Sequence, residues 1–132
     1  MDREQALGFV MKAYAARAAG DKALLAQMWT EDAEFRIAGD PARVDGVGLG
    51  DGNRPMDTVA ALIDRFRFED VTLIDAVVEG RRLALHWRVM VIAGDHMPAV
   101  TELMDLVTLA EDGRIASLVQ FADTALIRYL AA

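Results

Sequence analysis

His86 and Arg88 stand two positions apart inside an apolar run, LALHWRVMVI, at residues 83–92. In an extended strand both project from one face, with Ala84, Met90 and Ile92, while Leu83, Leu85, Trp87, Val89 and Val91 project from the other. An imidazole exchanges protons near neutral pH, and a guanidinium can hold an anion or a developing oxyanion. What the pair could do depends on the groups beside it.

Turn chemistry supplies those neighbours. EDGR at 111–114 places Asp-Gly between two strand patterns, a strong signal for a two-residue hairpin turn. With Glu111 paired to Arg114, Asp105 falls opposite Gln120. A loop centred on Asp95 and His96 pairs Gly94 with Met97 and sets His86 opposite Asp105. Directly opposed side chains lie about 5 Å apart at Cβ, so the predicted polar row is His86, Asp105 and Gln120, with Arg88 one step along. The rest of that face, with Met90, Leu103, Val107 and Leu118, is apolar, which is the profile of a lined pocket. An internal structural network and an interface are the other readings of the same row. The odd-numbered face, with Leu83, Leu85, Trp87, Val89, Val91, Ile115, Val119 and Phe121, is too apolar to be left wet and is assigned to a homodimer contact.

The elements that must position this row follow from the rest of the chain. A helix over residues 3–19 carries Leu7, Val10, Met11, Tyr14, Ala15 and Ala18 on one stripe. GD at 20–21 ends it and offers Asp21 as the cap of a second helix, KALLAQMW. AEFRI at 33–37 reads as a strand and MDTVAALIDRF as a third helix capped by Asp57. Four strand patterns separated by turns fill the chain from Phe68 onward, and TALIRYL closes it as a short helix. Helices first and then an antiparallel meander define an α+β domain spanning residues 1–132. Gly39 to Met56 reads as a long loop bordering the pocket mouth. Its Gly46, Gly48 and Gly50 lack the strand–turn–helix setting of a dinucleotide site.

Composition bounds the function. The chain has no cysteine and two histidines, which exclude disulfides, thiolate chemistry and a conventional structural zinc site. A formal net charge of −7 disfavours nucleic acid and anionic membrane surfaces as partners. MDREQALGF has no uninterrupted apolar core and no stretch approaches the length of a membrane span, so a cytoplasmic protein is expected.

The helix ending AAGD, the passage MWTEDAEF and the terminal meander with MDLVTLAEDGRI resemble the nuclear-transport-factor-two-like superfamily, in its SnoaL-like and ketosteroid-isomerase-like branches. The resemblance implies a strongly curved antiparallel sheet wrapped around helices to form a cone with one open pocket. It also implies an aspartic acid eight residues before the glycine of the last hairpin, which Asp105 matches. In the isomerases such a carboxyl stays neutral and donates a hydrogen bond to an oxyanion, an example familiar in acid–base catalysis. The partner tyrosine would be Tyr14, displaced by one position, with core packing as its other reading. The general base would be Asp40, in the pair Asp40-Pro41, provided the loop bulges. In the epoxide-hydrolase branch a charged pair two apart on the middle strand works with an aspartate on the last, and His86, Arg88 and Gln120 occupy those positions. Trp29, in MWTEDAEF, joins Arg88, Gln120 and Met90 as ligand contacts.

Two function classes remain open on this reading. One is cofactor-independent acid–base chemistry of isomerase, dehydratase or cyclase type on a small, largely apolar carbonyl compound. The other is a non-catalytic ligand-binding or assembly domain of the same fold.

Overall fold

The computed structural model describes residues 1–39 and 55–132, so Asp40 and most of the glycine-rich stretch lie outside the described residues. Helix α1 (Arg3–Ala19) starts on a capping box in which Asp2 accepts from the Gln5 backbone N–H and Gln5 accepts from that of Asp2. It stops at Gly20, whose φ of 73° closes the helix in the left-handed region. The buried stripe runs through Ala6, Val10, Ala13 and Tyr14, not through Met11 and Ala15 as the sequence pattern suggested. Helix α2 (Lys22–Gln27) follows on the Asp21 cap. Helix α3 (Pro55–Arg65) begins with proline at its first position, so Asp57 sits in its first turn and not at its cap. Helix α4 (Thr124–Ala131) is capped by Asp123, whose side chain accepts from Leu126 N–H at 3.0 Å.

Five strands form one sheet: β1 (Trp29–Ile37), β2 (Arg67–Glu79), β3 (Arg82–Ile92), β4 (Ala99–Leu109) and β5 (Ile115–Phe121). Their spatial order is β1-β5-β4-β3-β2, with β1 parallel to β5 and every other pair antiparallel. Register breaks in β2 between Glu69 and Thr72, where Asp70 takes a φ of 50°, and again between Leu73 and Asp75. Such bulges bend a strand and add twist. The sheet curves around the helices without closing on itself, giving the expected α+β cone.

The two hairpins decide which residues face the helices. Between β4 and β5, Gly113 N–H bonds Ala110 and Ala110 N–H bonds the Arg114 carbonyl, so the turn has one more residue than a simple Asp-Gly turn. A bulge at Ala116 absorbs the extra residue and restores Asp105 opposite Gln120, as expected. Between β3 and β4 no such compensation occurs. His96 N–H bonds Ala93, Pro98 has no N–H to give, and pairing begins only at Val91 with Ala99. The register therefore differs by one residue from the sequence reading: Leu85 stands opposite Asp105, and His86 opposite Met104. A one-residue slip exchanges the faces of the whole strand. Leu83, Leu85, Trp87, Val89 and Val91 are at most 6% exposed and belong to the core, so they cannot form the dimer contact assigned to them.

Candidate functional site

An apolar cavity of about 90 Å3 lies between the concave face of the sheet and the helices. At about 10–15 Å3 per water this admits several waters or the apolar body of a small ligand. Ala13, Tyr14 and Arg17 of α1 line one side. Trp29 and Phe35, whose rings meet edge to face at 6.1 Å, line another. Leu126, Ile127 and Leu130 of α4 reach in from the end of the chain. That helix is tied across by Arg65, which donates to the Ala131 carbonyl at 3.0 Å, and by the contact of Tyr129 with His96 at 4.9 Å between rings.

Polar groups are few and specific. Tyr14 is buried, stacks on Trp87 with centroids 4.1 Å apart, and its hydroxyl has no partner among the described residues. Asp105 is fully buried on the inner face, between the cavity-lining Leu103 and Gln120. Burial pushes its carboxyl up to about 8, and the Gln120 amide pulls weakly the other way without giving either oxygen a hydrogen bond of full geometry. At neutral pH the group is therefore mostly a neutral acid with a proton to donate. The indole N–H groups of Trp29 and Trp87 are likewise buried without acceptors among the described residues. Unpartnered buried polar atoms are rare in folded proteins, and two of the residues that carry them here, Tyr14 and Trp29, line the cavity.

Arg17 is the feature that sequence reasoning missed. Its Nη2 donates to the carbonyls of Leu62 at 3.3 Å and Phe66 at 2.7 Å, closing the C-terminal end of α3, and its guanidinium lies 3.9 Å above the centre of the Phe68 ring. Nη1 is buried with no partner among the described residues. The available signal was spacing, since Arg17 follows Val10 and Tyr14 at seven and three residues on the buried stripe.

Of the residues named from sequence, the structure brings Tyr14, Trp29, Gln120 and Asp105 to or beside the cavity. Asp40 lies outside the described residues. His86, Arg88 and Met90 stand on the opposite, convex face, where His86 Nε2 meets Glu102 at 2.6 Å. The polar row is thus split, and the arrangement similar to the epoxide-hydrolase branch, which needs His86 and Arg88 on the face of Gln120, is not formed.

The profile of the SnoaL-like domain matches residues 10–118. The chain belongs to the SnoaL-like family. An NTF2-like protein of unknown function from Burkholderia pseudomallei superposes on this SnoaL-like chain with a TM-score of 0.80 at 16% identity, covering 100% of this chain and 99% of the other. A candidate isomerase from Rhodopseudomonas palustris gives 0.78 at 15%, covering 99% and 98%. A candidate polyketide cyclase from Xanthomonas campestris gives 0.70 at 15%, covering 100% of both chains. At such identities the likeness is one of fold. No curated protein matches the sequence. Among the described residues of the SnoaL-like chain, no helix is long and apolar enough to cross a membrane.

Proposed function

We propose that the chain carries out cofactor-independent acid–base chemistry, of isomerase, dehydratase or cyclase type, on a small and largely apolar carbonyl compound held in the cone. The observation that carries this reading is the neutral, unpartnered Asp105 carboxyl, buried opposite the cavity-lining Gln120, with the Tyr14 hydroxyl, also unpartnered, belonging to a residue of the cavity wall. Two such donors at and beside a largely apolar cavity would favour the enolate-like state over the carbonyl, because a developing oxyanion gains more from them than a neutral oxygen does. Gln120 stands directly across from Asp105 on the neighbouring strand and lines the cavity. The base is the part that the resemblance gives to Asp40. Neighbours of the same fold named as isomerase and cyclase candidates are consistent with this class.

Exchange of α-protons in D2O tests it. With 4-phenylbutan-2-one and 4-phenylcyclohexanone as probes, the protein is expected to speed deuteration above the buffer rate, and Asp105→Asn and Tyr14→Phe to reduce it. Binding with no exchange above buffer would instead support the second reading, a non-catalytic binder. That reading is favoured by the position of His86 outside the cavity and by the commitment of Asp123, a lining carboxylate, to capping α4.

The proposal includes a homodimer built on the convex face. Val100 and Val77 are 62% and 64% exposed there, with Met104, Leu106 and Phe121 between 39% and 46%. Rows of apolar side chains on adjacent strands make a patch of the kind that marks a contact.

A further inference from the structure

We infer that the cavity takes ligands bearing a carboxylate, and that Arg17 is the group that recognises it. The inference rests on the pocket reading above and names the charge class of its occupant. Arg17 is the cationic residue lining the cavity, and no carboxylate pairs with it among the described residues. The two carboxyl groups nearest that space form no ion pair with it. Asp105 is held neutral by burial, and Asp123 is exposed and accepts from Leu126 N–H.

The guanidinium is half used. One amino group closes the end of α3 through two carbonyls, and the Phe68 ring supports the plane from one side. The α3 carbonyls carry partial negative charge and keep the cation in place, but they supply about half a charge at most. Nη1 therefore remains a buried donor on a cation with no full counter-charge, and burial has lowered the group to about 10, far enough above neutrality for it to stay charged. A ligand carboxylate would complete both deficits with one charge-assisted hydrogen bond. Fixed in advance by α3 and Phe68, the guanidinium needs little ordering when the ligand arrives. A role confined to capping α3 accounts for Nη2 and leaves Nη1 unexplained.

Calorimetry at pH 7 with phenylacetate, 3-phenylpropanoate and 4-phenylbutanoate, each against its primary amide, tests the inference, with neutral 4-phenylbutan-2-one as a control. At least one acid is expected to bind the wild type about tenfold or more tighter than its amide, the worth of one charged hydrogen bond. Arg17→Met should abolish that preference, with ketone binding measured alongside to show that the cavity is still formed. Arg17→Lys, which keeps a cation for the α3 carbonyls, guards against simple unfolding and should retain part of the preference. Equal affinity of acid and amide in the wild type, with the ketone still bound, overturns the inference and leaves the carbonyl reading standing. Failure of all three acids to bind overturns it as well, whereas loss of ketone deuteration alone strikes only the proposed chemistry.

Discussion

The ring of Tyr14 lies on the ring of Trp87, 4.1 Å from centroid to centroid and 26° from parallel. The stack joins α1 to the middle of β3 and so sets where the tyrosine hydroxyl sits on the cavity wall. Trp87 is 1% exposed and among the largest fully buried side chains. Its replacement by alanine is expected to cost about 3–5 kcal/mol in denaturant unfolding, as for other large-to-small core changes.

Tyr14→Phe should behave differently. The hydroxyl it removes has no partner, so the folded state loses no hydrogen bond and stability should stay within about 1 kcal/mol of wild type or rise. Ketone deuteration should fall in the same variant. A large loss of stability in thermal melts would show that the hydroxyl is bonded in solution.

Asp105 makes stability depend on pH in a stated direction. Its folded carboxyl titrates at about 8 and its unfolded counterpart in the ordinary carboxylate range. Between those values the folded state binds more protons, so this group's contribution is fully present below pH 4 and is lost as pH rises to 8. The slope is about 1.4 kcal/mol per pH unit. Asp105→Asn removes the dependence, and its stability relative to wild type should therefore improve steadily from pH 5 to pH 8 in parallel urea titrations. A constant difference across that range would mean that the carboxyl is ionised throughout.

The His86–Glu102 pair on the convex face should matter little to the cavity. Both side chains are partly exposed, and such pairs contribute about 0–1 kcal/mol. His86→Ala should leave ketone binding and deuteration unchanged. A selective loss of deuteration with normal folding would return His86 to the chemistry.

Asp123→Ala tests the cover that α4 provides. Loss of the N-cap should cost the helix about 0.5–2 kcal/mol and raise amide exchange over residues 124–131. Because Leu126, Ile127 and Leu130 line the cavity, a bound probe should leave faster in stopped-flow displacement.

Much of this arrangement was legible in the residues, and the exceptions have local causes. The Asp-Gly turn fixed Asp105 opposite Gln120 even though its geometry differs, because a bulge at Ala116 cancels the added turn residue. No bulge cancels the extra residue between β3 and β4, and nothing in AGDHMP announces where pairing resumes. The consequence was a complete exchange of inside and outside for β3, which turned His86 and Arg88 into surface residues and an intended interface into core. Both faces of that strand carry enough apolar side chains for alternation alone to leave the choice open. A basic residue near the end of a helix ordinarily serves the helix's own dipole, so the place of Arg17 in the last turn of α1 carries by itself no sign of another role. Here it serves the end of a different helix.

The parallel pairing of β1 with β5 has a consequence for how the molecule assembles. Trp29 meets Ile115 across most of the chain's length, whereas β2 to β5 pair with their immediate neighbours. Closing so long a loop is entropically slow, so the meander is expected to form ahead of this contact and β1 to dock late. Until it does, β5 presents an unpaired backbone edge beside a half-built cavity, and that edge can add a strand from another molecule. The interval before β1 arrives is thus the period in which aggregation competes with folding. Substitutions that weaken the seating of Trp29 or Phe35 lengthen that interval, and their first sign is a lower yield on refolding at high concentration, before any change in the finished protein.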